Sequence, residues 1–133
     1  MAHVIPYDDS HPWFERVRAL ARAYPRVTED DSHGRPTFRV GRVFCVLGNE
    51  ERRPDGSRVP RPRSLAVRID PVELPALDAD DRFFEPRFWY AHGWRGVDLD
   101  PGRVTFEEVA ELVDASYRLL APRGALAELD ARG

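Results

Sequence analysis

The stretch from Val27 to Leu47, VTEDDSHGRPTFRVGRVFCVL, leaves this chain few folds to choose from. Pro25 stops whatever helix precedes it, because its ring pushes the residue before it out of helical geometry. The Asp-, Ser-, His- and Gly-rich segment that follows reads as a turn, since such side chains bond their own backbone. Thr37–Val40 and Val43–Leu47 then flank Gly41-Arg42, a two-residue loop whose leading Gly suits a type II′ hairpin. That turn sets Val40 opposite Val43, Arg39 opposite Phe44, and Phe38 opposite Cys45.

The remaining elements build around this hairpin. Trp13, Phe14, Val17, Leu20, Ala21 and Tyr24 recur at three- and four-residue spacing, which predicts a helix from about Ser10 to Tyr24. Leu65, Val67 and Ile69 alternate with Ala66, Arg68 and Asp70, a third strand with one buried face. A long polar loop is expected between the second and third strands. A short helix fits from Pro71 or Val72 to about Asp81, and Phe83–Trp89 and Trp94–Leu99 read as a further strand pair. Thr105-x-x-Glu108 has the capping-box pattern, and Phe106, Val109, Ala110, Val113, Tyr117 and Leu120 follow on one helical face. Pro122 closes that helix, and a short frayed one is expected at Ala125–Asp130. The expectation is one α+β domain over residues 1–133: a two-layer sandwich, antiparallel sheet with helices on one face, order α-β-β-β-α-β-β-α.

Composition narrows the chemistry. All 20 basic residues are Arg, so Schiff-base and lysine general-base mechanisms are excluded. A net charge of −3 does not mark a nucleic-acid binder, although residues 1–66 carry 12 Arg against 9 acids and residues 67–133 carry 8 against 14. A single cysteine cannot form an internal disulfide and suits a reducing compartment. The opening MAHVIPYDD lacks the pattern of a signal peptide, and no apolar run reaches membrane-spanning length. A cytoplasmic protein with no membrane partner, monomeric or weakly dimeric, is expected.

Catalytic patterns are weak. Thr28–His33 gathers three carboxylates, a hydroxyl and an imidazole, but turn chemistry explains them better than a metal does. Ser32-His33 lies outside any nucleophile elbow, and adjacent side chains rarely meet. Cys45 alternates with Val43 and Leu47, so it reads as a buried hydrophobe. Asp78, Asp80 and Asp81 sit at a helix end. There is no phosphate-binding loop, dinucleotide fingerprint or paired-cysteine motif. No enzyme, cofactor or metal is expected.

Two surfaces remain for binding. The segment ERRPDGSRVPRPR carries Arg52, Arg53, Arg58, Arg61 and Arg63 against Glu51 and Asp55, a basic loop that can act as a wing on nucleic acid. The other is the open face of the sheet. With Phe38, Val40, Val43, Cys45, Leu47, Leu65, Val67 and Ile69 turned to the helices, alternation leaves Arg39, Phe44, Val46 and Arg68 outside. On the last strand Trp94, Gly96 and Asp98 share that side. Guanidinium and aromatic groups together form a platform for a planar anionic small molecule, with His33, Tyr90 and His92 at its rim. The competing reading is that Phe44 and Trp94 close a minor core.

The most distinctive pieces are Ser32-His33-Gly34, Pro36–Phe38, Phe83-Phe84 and His92–Trp94. Through them the chain resembles the MmcQ/YjbR family of small bacterial proteins over nearly its whole length. The resemblance implies a fold similar to type III secretion chaperones, and it brings the label DNA-binding. Many relatives have Lys-His-Trp where His92-Gly93-Trp94 stands here, and often Lys at Arg68. The leading expectation is a non-enzymatic binding protein of this type. The alternatives are a DNA-binding accessory protein using the basic loop and a small-molecule sequestering protein using the sheet face.

Overall fold

The computed structural model describes residues Pro12–Arg132, and its elements run α1 (Trp13–Arg22), β1 (Thr28–Ser32), β2 (Arg35–Val40), β3 (Arg42–Arg52), β4 (Arg58–Arg68), α2 (Leu74–Asp78), β5 (Phe83–Phe84), a 3-10 turn (Tyr90–His92), β6 (Trp94–Asp98), α3 (Phe106–Leu120) and α4 (Arg123–Ala131). Ser10, the expected start of the first helix, lies outside the described residues. Six antiparallel strands form one sheet in the order β1-β2-β3-β4-β6-β5. The chain is α+β as its patterning required.

The helix layer follows from apolar periodicity. Phe14, Val17 and Ala21 of α1, and Val109, Val113, Tyr117 and Leu120 of α3, are buried on the faces that the spacing selects. Thr105 accepts from the Glu108 N–H, and the Glu108 carboxylate accepts from the Thr105 N–H, so the capping box is complete. Helices and sheet are pinned by two buried hydroxyls. Tyr117 donates to the Pro25 carbonyl at 2.9 Å, and Ser116 donates to the Phe44 carbonyl at 2.6 Å while accepting from the Arg68 N–H at 3.0 Å.

The hairpin turn departs from the two-residue expectation. Val40 pairs with Arg42 and Arg39 with Val43, while Phe38 still pairs with Cys45. Gly41 alone therefore makes the turn, with a φ of 80° that favours glycine. The surplus residue is absorbed as a bulge at Phe44. Val43 and Phe44 thereby exchange faces: Val43 stands opposite the exposed Arg39, and Phe44 turns inward, edge-on to Tyr117 at 5.4 Å. Beyond the bulge the anticipated register holds, with Thr37, Val46, Ala66 and Gly96 in one outward-facing row and Leu47, Leu65 and Val97 in an inward-facing one.

Two segments read as loops are strands. Thr28–Ser32 is an edge strand whose carboxylates serve neighbouring arginines: Glu29 pairs with Arg18 at 2.7 Å and Asp30 with Arg39 at 2.8 Å. A polar edge of this kind resists pairing with another chain. The supposed long polar loop is instead a continuation of β3 and β4, paired as far as Arg52 and Arg58. In the other direction, the strand expected over Phe83–Trp89 pairs with β6 only at Phe83 and Phe84. The chain then crosses to β3, where the Arg52 N–H donates to the Glu85 carbonyl and the Arg87 N–H to the Glu50 carbonyl, both at 2.8 Å. Residues 85–93 thus form a strap over the face of the sheet that the helices leave uncovered.

Candidate functional site

Beneath and along this strap lies the outer sheet face, and its fate differs from an open platform. Phe84 lies on Gly96 so closely that a Cβ there would sit 2.3 Å from the ring. Trp89 packs on Trp94 with ring centroids 4.8 Å apart. Trp94 is consequently 4% exposed, and Val46 and Ala66 are fully buried. Strand alternation does bring Trp94, Gly96 and Arg68 to one side, with Arg68 directly beside Trp94. Phe44 is not among them: its ring is fully buried against α3, because the bulge reversed its side.

The other expected rim residues divide into groups. Tyr90 and His92 lie in the 3-10 turn of the strap, close to Trp89 and Trp94, and the Arg52 guanidinium lies 4.3 Å above the Tyr90 ring. His33 sits at the far edge, in the β1–β2 turn, stacked on Phe88 at 6.4 Å. Both members of that pair have left-handed backbone, with φ of 55° for His33 and 77° for Phe88. Such strain costs on the order of 1–3 kcal/mol per residue, so the contact is held by its surroundings. Arg39 is exposed and pairs with Asp30 of β1 at 2.8 Å.

Burial without partners is the site's most pronounced electrostatic feature. Among the described residues, the buried side-chain polar atoms lacking a hydrogen-bond partner are Arg35 Nε, Asn49 Oδ1, Arg68 Nε and Trp89 Nε1. Arg35 and Arg68 occupy outward-facing positions of β2 and β4, and Trp89 belongs to the strap. Three are N–H donors. Orphaned donors of this kind cost roughly 1–3 kcal/mol each unless something accepts from them. Arg68 Nε is tucked under the strap's hinge, where a Cβ on Gly93 would lie 3.3 Å from it. Arg35 is 2% exposed, and burial pulls its guanidinium down to about 10. Arg35, Asn49 and Trp89 were not singled out from sequence. Arg35 was within reach of the alternation argument, two residues before the outward-facing Thr37.

The basic segment forms the exposed tip of the β3–β4 hairpin, and its arginines are largely engaged. Arg61 pairs with Glu51 at 2.6 Å and with Asp98 at 3.0 Å, Arg52 with Glu85 at 3.2 Å, and Arg53 with Glu51 at 3.5 Å. The Arg63 carbonyl accepts from the Leu99 N–H at 2.8 Å. Arg58 is exposed and makes no ion pair among the described residues.

Other candidate chemistry is accounted for structurally. Asp31 accepts from the Gly34 N–H at 2.9 Å, a turn bond. Cys45 is fully buried, and burial pushes its thiol well up, away from the thiolate a nucleophile needs. No group of three or more His, Cys, Asp or Glu capable of holding a metal occurs among the described residues. No described helix is long and apolar enough to cross a membrane.

Comparison with protein-family models gives a match to YjbR over residues 22–119, which spans every strand and most of α3. Neither the curated proteins nor the solved structures compared with the chain yield a match.

Proposed function

The chain belongs to the YjbR family, and from the strapped-over sheet face of its α+β fold we propose that it is a non-enzymatic binding protein that takes a planar anionic small molecule between strap and sheet. The observation that carries this reading is the pair of buried, unpartnered N–H donors on Arg68 and Trp89 beside the tilted, packed rings of Trp89 and Trp94. A carboxylate satisfies those donors, and a ring lies against Trp89 or Trp94. The strap is the part of this enclosure that yields. Its ties to β3 include two backbone bonds, the Glu50–Arg87 and Glu85–Arg52 ion pairs and the Arg52–Tyr90 contact, without the continuous ladder that holds the strands beneath it.

Titration with naphthalene-2-carboxylate, followed by tryptophan fluorescence, tests this. Wild-type protein is expected to show saturable quenching, and Arg68→Gln to weaken it at least tenfold, since a charge-assisted bond contributes about 1.5–3 kcal/mol. Absence of any saturable response in folded wild-type protein up to millimolar probe would end the proposal.

A second reading, DNA binding through the hairpin tip, is favoured by the exposure of Arg53 and Arg58 at the turn. Retardation of duplex DNA at low salt is its test. Arg53→Ser with Arg58→Ser should then lower the slope of log affinity against log salt by about 2. No retardation by wild-type protein would remove the reading.

A further inference from the structure

We propose that residues 85–92 of the strap are a lid on the outer sheet face, hinged at Gly93 and latched where the Phe88 ring meets His33 of the β1–β2 turn. The inference rests on the reading that a ligand enters between strap and sheet, and it supplies the gate for that entry.

The closed strap carries costs of its own. Phe88 has a φ of 77°, a conformation that bulky side chains rarely adopt. Closure also strips water from Trp89 Nε1, and no protein acceptor takes its place. Lifting the strap relaxes the first and hydrates the second. Against these costs stand a few discrete ties. The Arg52 N–H donates to the Glu85 carbonyl and the Arg87 N–H to the Glu50 carbonyl, both at 2.8 Å, and the same segments are joined by the Arg87–Glu50 and Arg52–Glu85 ion pairs. Trp89 rests on Trp94 with ring centroids 4.8 Å apart.

Phe88 is the place where cost and tie meet. Its side chain is 49% exposed, so it is no core residue, and its backbone suits glycine better. The ring compensates by its contacts: it stacks on His33 at 6.4 Å, and the Arg87 guanidinium lies 4.4 Å from its centroid. His33 is well placed to receive it. Ser32 pairs with Arg35, so His33 and Gly34 form a two-residue turn in which both have positive φ, the geometry that closes hairpins. The segment is bounded on both sides. Phe84 is seated on Gly96, and the Gly93 carbonyl accepts from the Ile69 N–H at 2.9 Å. Gly93, with a φ of 81° and no Cβ, is the residue that can absorb the swing.

Native-state amide exchange, followed by NMR without ligand, tests the lid. The Arg52 and Arg87 amides should exchange through one shared opening, roughly a hundredfold more frequent than global unfolding, while Ile69 and the β3–β4 ladder exchange only with the whole protein. Phe88→Ala keeps the strained backbone and removes the ring, so it should raise that opening about tenfold. Phe88→Gly removes ring and strain together and should return it to within about threefold of wild type. A merely structural contact would give the reverse order, with glycine opening the strap more than alanine. His33→Ala should raise the opening severalfold with the ring intact, and it serves if Phe88→Ala does not fold. The lid is overturned if Arg52 and Arg87 exchange only with global unfolding, if both alanine variants leave their exchange unchanged, or if Phe88→Gly opens the strap as far as Phe88→Ala. Opening without saturable binding of naphthalene-2-carboxylate would uphold the lid and remove the ligand reading. Binding to a strap that opens only with the whole protein would do the opposite.

Discussion

Phe44→Ala is expected to destabilise the protein by about 3–5 kcal/mol, the range for truncating a buried aromatic ring. The urea midpoint should fall with the slope unchanged. The ring is fully buried and meets Tyr117 edge-on, and the Phe44 backbone carbonyl accepts the Ser116 hydroxyl, so two contacts fix the bulge to α3. Had Phe44 been part of an outward ligand platform, the same truncation would cost less than Val67→Ala. The structure reverses that order: Phe44→Ala should cost more than Val67→Ala, which removes two methyl groups from a part of β4 regularly paired on both sides. A loss below about 1 kcal/mol for Phe44→Ala would mean that the bulge does not turn the ring inward.

Gly96→Ala is expected to cost about 1–3 kcal/mol or more, although alanine is intrinsically better than glycine in a strand by roughly 0.5–1 kcal/mol. The new methyl would stand 2.3 Å from Phe84 Cζ and 2.5 Å from Cε1, inside any tolerable contact. The ring is forced off the sheet, and with it the start of the strap. Two readouts check this. Tryptophan emission should shift to the red as Trp89 and Trp94 gain water. Combining Gly96→Ala with Phe84→Ala should cost less than the sum of the two single changes, by about 1 kcal/mol or more, because the clash disappears with the ring. Additive losses would show that Phe84 is not pinned on Gly96.

The placement of the candidate site shows how strand patterning succeeds and where it stops. Period-two alternation assigned Arg68 and Trp94 to one outer face, and the β4–β6 register puts them side by side. The same rule failed at Phe44 because it assumes an unbroken pleat. A one-residue turn at Gly41 and a two-residue turn at Gly41-Arg42 look alike in sequence, and the difference, one residue, is what a bulge absorbs. Thr28–Ser32 was misread for another reason. Its side chains are those of a turn, yet its backbone gains a full ladder on β2 and its carboxylates gain Arg18 and Arg39, which come from α1 and β2. Local propensity carries no record of partners that distant.

By itself the sequence determined the helix faces, the capping box at Thr105, and the paired strands of the hairpin with Phe38, Val40, Cys45 and Leu47 buried, and therefore an α+β sandwich. These depend on neighbours three, four or two residues apart, or on a turn between adjacent strands. Only the tertiary structure decided that the second face is roofed. The pairing of β5 with β6 ends at Phe84, and the chain crosses to β3, where Glu50, Glu51 and Arg52 receive it. That crossing joins residues more than thirty positions apart, and it converts an expected open platform into a covered one. The buried, unpartnered Nε atoms of Arg35 and Arg68 have the same origin, since the cost of a missing partner arises only when distant segments fold over a polar group and remove its water.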